Sequence, residues 1–217
     1  MTNPCVMKDE AAMTDATDPR AVRYKQGAFR ILWSFDRPLY AAHLRRLSPE
    51  DRRARFHHAV SDGWIDAHAA GALDGRGKVL GWFHDDTLRA AAEVALTRDG
   101  AAAEAAFDVE DAWRGWGVGS QLVARVLLWA RNRGARRLLV HTTRGNVAML
   151  RAATRNGAQF EFDLSEADGV IEAEGPTLRS HMEEARLAQE GARGLADQAA
   201  RRMRALLRPA APGANGA

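Results

Sequence analysis

Residues 106–122 read AFDVEDAWRGWGVGSQL, and the fold turns on how this stretch is interpreted. A strand end, Ala106 to Val109, runs through an acidic turn into Arg114-Gly115-Trp116-Gly117-Val118-Gly119, and a helix begins at once. A strand, a tight glycine turn and a helix in immediate succession aim several backbone N–H groups at one spot. The positive end of the helix dipole lies behind them, so an anion can sit there. Glycine suits such a turn because a Cβ would hold a phosphate away from the backbone. Taken alone, a Gly-x-Gly turn is equally the punctuation of a helix start. It also departs from the dinucleotide fingerprint, whose third glycine would fall at Leu122.

Working outward, the segments before the loop read as short strands at Val79–His84, Arg89–Thr97 and Ala102–Val109, the last two joined as a hairpin through Arg98-Asp99-Gly100. After the loop, Leu122, Val123, Val126, Leu127 and Ala130 follow helical spacing up to Asn132, and Gly134 ends the helix. Arg137–His141 is a short buried strand and Asn146–Arg155 a helix. Gln159–Leu164 and Val170–Ala173 can form a last hairpin. Toward the N-terminus, Phe29–Trp33 is extended. Asp36 with Pro38 opens a helix carrying Leu39, Leu44 and Leu47, and Ser48-Pro49-Glu50-Asp51 caps a helix over Arg52–Val60. A further short helix is expected over Ser61–Ala69, before a glycine-rich break at Gly71–Gly77. Two β-to-α transitions amid β-hairpins predict a mixed sheet flanked by helices. Leu178 to about Leu207 is helical again, with Gly191 and Gly194 expected to interrupt it.

The organisation expected is a tail over 1–20, one main domain over 21–177, a helical extension over 178–208 and a tail over 209–217. The extension reads as a helix packed on its own domain or, as a homodimer, on a second copy. A hydrophobic content of 46% with 27% charge is that of a soluble globular protein, and no apolar run nears the ~20 residues of a membrane span. The N-terminus lacks the pattern of a secretory signal, and the single Cys5 cannot form an internal disulfide. A cytoplasmic location is therefore expected. Beyond Thr177, seven Arg face four acids and supply the whole +3 surplus. Nucleic acid is an unexpected partner for charges so placed. His43, His57, His58 and His68 lack the supporting pattern of a metal site.

Arg114-x-x-Gly117-x-Gly119 resembles the Arg/Gln-x-x-Gly-x-Gly/Ala signature of the GNAT superfamily of acyl-CoA N-acyltransferases. Asn146 followed by Gly157-Ala158 resembles that family's Asn-to-Gly-Phe segment. The resemblance spans roughly residues 30–176, most firmly 104–157. Within the superfamily the chain is most similar to bacterial Pat-type protein lysine acetyltransferases. The shared marks are Leu47-Ser48-Pro49-Glu50 with Arg55-Phe56, the run Ala103-Glu104-Ala105-Ala106-Phe107, and Asn146-Val147-Ala148-Met149. The resemblance implies an α/β (α+β) GNAT-like fold, with a mixed, mostly antiparallel sheet and a C-terminal helical extension. It implies acetyl-CoA as acyl-donor cosubstrate and no metal. Backbone groups near Phe107 and Val109 would hold the pantetheine arm. Amides of Arg114, Gly115, Trp116, Gly117, Val118, Gly119 and Ser120 would hold the pyrophosphate, and Asn146 would contact the coenzyme.

Acetyl transfer to an amine needs a neutral nucleophile, a polarised thioester carbonyl and a proton for the departing thiolate. Glu104 stands ten residues before Arg114, where Pat-type enzymes resemble one another in placing a catalytic Glu. If the hairpin turns on Arg98-Asp99 or on Asp99-Gly100, Glu93 and Glu104 share a sheet face, opposite or diagonal. Two near carboxylates would raise one another's proton affinity; the plainer reading of Glu93 is a solvent-facing residue. The place where many superfamily members carry a Tyr is Ala153, so the general acid is unassigned. His141 is a strand-end candidate, or an ordinary surface residue. Trp113 and Trp116 either line the coenzyme channel or pack on the sheet. The favoured acceptor is a protein lysine. The alternatives are a small-molecule amine, or a noncatalytic acyl-CoA sensor.

Overall fold

The computed structural model describes residues 27–75 and 77–207. Cys5 and the expected tails at 1–20 and 209–217 lie outside the described residues. Seven strands form one sheet: β1 (Ala28–Ile31), β2 (Lys78–His84), β3 (Thr87–Leu96), β4 (Ala102–Val109), β5 (Arg137–Thr143), β6 (Gln159–Asp163) and β7 (Glu166–Glu172). Their spatial order is β1-β2-β3-β4-β5-β7-β6. All pairings are antiparallel except β4 with β5, which runs parallel only from Ala102↔Arg137 to Ala105↔Val140. Past that rung β4 continues to Val109 and β5 to Thr143 without pairing, so the two strands diverge.

The helices are α1 (Arg37–Arg46), α2 (Pro49–Phe56), α3 (Asp62–Asp74), α4 (Val118–Arg131), α5 (Val147–Thr154) and α6 (Leu178–Leu206). They sort by strand alternation, since successive side chains point to opposite faces. Ala103 and Ala105 face α4 and α5, in a core with Leu122, Val123, Val126, Leu138 and Val140. On the other face, Val79, Phe83 and Ala91 meet Tyr40, Leu44, Phe56 and Ile65 of α1 to α3. Each fully buried aliphatic side chain here stabilises the fold by roughly 1.5–3 kcal/mol.

Several sequence-based expectations shift. Asp36 precedes α1 but makes no side-chain cap; its buried carboxylate takes two hydrogen bonds from Arg30, at 2.7 and 2.8 Å. Ser48 Oγ accepts from Asp51 N–H as expected. The helix it starts nonetheless ends at Phe56 rather than Val60, because His57 adopts a left-handed conformation. The next helix runs through Gly71 to Asp74, so the glycine-rich stretch does not break it. Strand β7 begins at Glu166 rather than Val170, across a tight turn in which Leu164 has φ 36°. The largest departure is α6, which continues unbroken through Gly191 and Gly194. A Cβ at Gly191 would stand 3.0 Å from Phe29 O, and one at Gly194 3.2 Å from Ala28 Cβ. These glycines let the helix lie directly on β1, a tertiary demand that outweighs their poor helix propensity. Farther along α6, Gln198 donates to Asp86 O at 3.1 Å and Arg201 pairs with the Asp86 carboxylate at 2.6 Å.

Candidate active site

Where β4 and β5 diverge, a cleft of about 1250 Å³, counting its solvent-open part, opens between them. Its walls are Ala106–Val109 of β4 and Val140–Thr142 of β5, with Asp51, Ala54 and Arg55 of α2. The glycine loop contributes Arg114, Gly115, Gly117, Gly119 and Ser120; Asn146, Ala148, Met149, Arg151, Ala152 and Arg155 complete the wall along α5. Gly115 and Gly117 have φ of 78° and 81°, a conformation that L side chains adopt at a cost of about 1–2 kcal/mol. The turn they make delivers Val118, Gly119 and Ser120 as the first turn of α4, whose N–H groups have no helical acceptor. The cleft therefore ends on a set of unpaired amide donors, which fits a pyrophosphate. Along one side, β4 past Ala105 has no strand partner, which fits an extended amide-bearing arm.

Most of the side chains around the loop brace it. Arg114 pairs with Asp51 at the start of α2, and also donates to Val109 O at 3.3 Å and Asp111 Oδ1 at 3.2 Å. Asn146 Oδ1 accepts from Met149 N–H at 3.2 Å, and its Nδ2 donates to Thr142 Oγ1 at 3.1 Å. It thus caps α5 at the cleft wall. Asn156, which sequence reasoning passed over, donates to Ser120 O and Ala152 O and ties α4 to α5. Trp116 and Val118 do not line the cleft. Trp116 packs tilted against Trp113, with ring centroids 5.1 Å apart, and on the core, and Val118 is 1% exposed within it. Trp113 itself lines the cleft. Arg151 and Arg155, exposed and one helical turn apart on α5, add cations that the sequence reading missed.

Glu93 and Glu104 share a sheet face and lie diagonally, since Glu93 pairs with Ala106 and Glu104 with Ala95. This is the register of the Asp99-Gly100 turn. Their environments differ, and the expected mutual increase in proton affinity is not found for Glu93. Burial would raise its carboxyl, but the Arg55 charge and hydrogen bonds from His68 and Tyr40 prevail and hold it down at about 2. Arg55 Nη2 stands 2.8 Å from Glu93 Oε1, a charge contact without hydrogen-bond alignment. His68 Nε2 is 2.6 Å from the same oxygen, and the Tyr40 hydroxyl donates to it. Glu93 therefore does not face solvent. Glu104 does, outside the cleft wall and two residues from Ala106.

The sequence reading also missed a buried polar layer beside the cleft. His43, fully buried, bridges Asp108 through Nε2 and Glu110 through Nδ1, the latter at 3.0 Å. Burial would lower its pKa, but the two carboxylates win and raise it. Arg46 and Arg89 also reach Glu110, at 2.7 and 3.0 Å, and Arg55 Nε donates to Asp108 at 3.3 Å. This layer fixes the end of β4, and so the start of the loop. Alternation held its signal, because Glu93 shares its face with Ala91 and Ala95, and Asp108 shares its face with Ala106. Ala153, at the place where a Tyr was sought, is fully buried. Tyr40 lies off the cleft wall, and Tyr24 lies outside the described residues. His141 lines the cleft with its ring 2.6 Å from Asp168. Among the described residues no group of His, Cys, Asp and Glu is placed to hold a metal ion.

A family model described as Acetyltransferase (GNAT) family matches residues 39–158. No curated protein matches the sequence. Solved structures do. The GNAT domain of S. lividans PAT is 20% identical over 66% of this chain and 89% of its own, with a TM-score of 0.59. RimL, a ribosomal L7/L12 alpha-N-protein acetyltransferase in complex with coenzyme A, is 16% identical over 71% of this chain and 98% of its own, with a TM-score of 0.58. YncA of Salmonella typhimurium, a putative acetyltransferase with its cofactor acetyl-CoA, is 17% identical over 69% and 94%, with a TM-score of 0.50.

Proposed function

The chain belongs to the acetyltransferase (GNAT) family, and from that premise we propose that it transfers an acetyl group to the Nζ of a protein lysine with Glu104 as general base. It is an acyl-CoA-dependent N-acetyltransferase, and acetyl-CoA is its cosubstrate. When bound, the thioester supplies the activated acyl carbon. The residues supply the rest. The Arg114 N–H is spent on Asp111 O at 3.1 Å, so the unpaired amides of Val118, Gly119 and Ser120 hold the pyrophosphate, and Arg151 and Arg155 bring positive charge to the mouth of the cleft. The free edge of β4 at Phe107 and Val109 holds the pantetheine arm, and Asn146 keeps α5 against it.

The observation that carries the role of Glu104 is its rung. It pairs with Leu139 one rung before the last that β4 and β5 share, and its exposed carboxylate faces the side opposite α4 and α5. An amine arriving from that side meets Glu104 before it meets the thioester end of the cleft. A lysine ammonium, with a pKa near 10.4, must lose a proton before it can attack. Glu104 takes it directly or through one water. With Ala153 buried and apolar, solvent in the open cleft supplies the proton for the departing thiolate.

The test is acetyl-CoA-dependent thiol release with two acceptor pools from a bacterial lysate, the desalted proteins and the small-molecule filtrate. Release with the protein pool, reduced ~10²-fold or more in Glu104→Gln at unchanged acetyl-CoA affinity, is expected. Release only with the filtrate would make a small amine the acceptor. Unchanged turnover in Glu104→Gln would remove Glu104 from the mechanism.

A further inference from the structure

On the α4 and α5 side, the core extends across β5 to β7 through Leu138, Val140 and Ile171. On the other side α1 to α3 cover β2 to β4 and the end of α2 reaches β5, but among the described residues no helix packs on β7 or β6. The registers put Glu104, Leu139, Val170 and Gln159 across this bare face, with Asp168 and Glu161 on the next rung and Glu166 and Asp163 beyond. Burial alternates accordingly. Glu161, Asp163, Glu166, Asp168 and Glu172 are exposed, while Ala167, Gly169 and Ile171 between them are buried on the opposite face. The cationic groups of this face are Arg137 and His141, and the His141 ring is occupied by Asp168. From the α2 side His57 approaches Glu166 at 4.0 Å. His141 belongs at once to this face and to the cleft wall, so the acidic surface and the reaction cleft are continuous.

We propose that this face docks the acceptor protein and selects a lysine set within a basic segment. The inference rests on the lysine reading above and adds the acceptor's charge. Three adjacent strands about 4.8 Å apart, with rises near 3.3 Å per residue, give an open area of roughly 10 by 20 Å. An open sheet surface suits an extended peptide, whereas a small amine needs a concave pocket for its affinity. Its five exposed carboxylates outnumber its cations, so its net charge is complementary to the acceptor and raises the encounter rate of cationic segments.

The test compares acetylation of three peptides of equal length by the intact enzyme, each with one central lysine and flanks that are arginine-rich, neutral or acidic. The arginine-rich peptide is expected to have a kcat/KM at least 5-fold above the neutral one, and the preference is expected to fall toward unity at 0.5 M salt. A triple variant, Glu161→Gln with Asp163→Asn and Glu172→Gln, should bring the preference below 2-fold without changing turnover of the neutral peptide. Anisotropy of the labelled basic peptide on enzyme saturated with coenzyme A reports docking without chemistry. Salt-sensitive binding that the triple variant weakens, with no peptide acetylated, would uphold the docking face and sink the lysine reading instead. Equal turnover of basic and neutral peptides, or an unchanged preference in the triple variant, would overturn the docking face. So would a linear polyamine that displaces the peptide and is itself acetylated.

Discussion

Gly117 has a backbone conformation, φ 81°, at the N-cap of α4, and it forms part of the cleft wall. A β-branched residue there would pay for the left-handed conformation and also push a side chain toward the proposed phosphate position. Gly117→Val is expected to weaken acetyl-CoA binding by at least tenfold in calorimetry while the circular dichroism of the fold is kept. Normal affinity would displace the pyrophosphate from this loop. Residue chemistry elsewhere follows surroundings that no local pattern displays. Glu93 and Glu104 are both glutamates on one sheet face, yet the first is clasped by Arg55, His68 and Tyr40 and the second meets water. Strand alternation was sufficient to assign their shared face. Their different roles depend on α1 to α3 passing over one and not the other.

At the scale of elements, glycine means opposite things in two helices. Gly71 lies inside α3, and a Cβ there would meet nothing within 4 Å. Gly71→Ala is expected to stabilise the fold by about 0.5–1 kcal/mol. Gly191 lies inside α6 against the β1 backbone. Gly191→Val would lift the helix from the sheet and cost about 1–3 kcal/mol. Urea unfolding of both variants separates the two effects, and two shifts of the same sign would contradict the close approach of α6 to β1. Sequence reading took Gly191 and Gly194 as interruptions because propensity counts only local cost. The benefit comes from a strand more than 150 positions earlier in the chain, and it is invisible until the helix is docked.

Across the whole molecule, a layer of buried charge on the α1 to α3 face of the sheet spans α1, α2, β3 and β4 and adjoins the cleft. Its pH dependence has a definite sign. Glu93 titrates at about 2 in the fold, below its unfolded value near 4.3. Its contribution, on the order of 2–3 kcal/mol, is present above that unfolded value and is lost as pH falls through 2. His43 has a raised pKa, so its contribution is complete below about pH 6.5 and disappears as pH rises through the raised value. Urea-unfolding stability measured from pH 5 to 2 should therefore fall, and Glu93→Gln, though less stable at neutral pH, should show a flatter acid limb. An unchanged slope would show that Glu93 is not held low. By itself the sequence determined the strand and helix order and the glycine loop, because hydrophobic period, caps and glycine spacing are local properties of the chain. Only the tertiary structure decided the close seat of α6, the clasp on Glu93, the His43 bridge and the bare acidic face. Each of these depends on which distant segments lie over a strand face, and burial and charge pairing are set by that overlap.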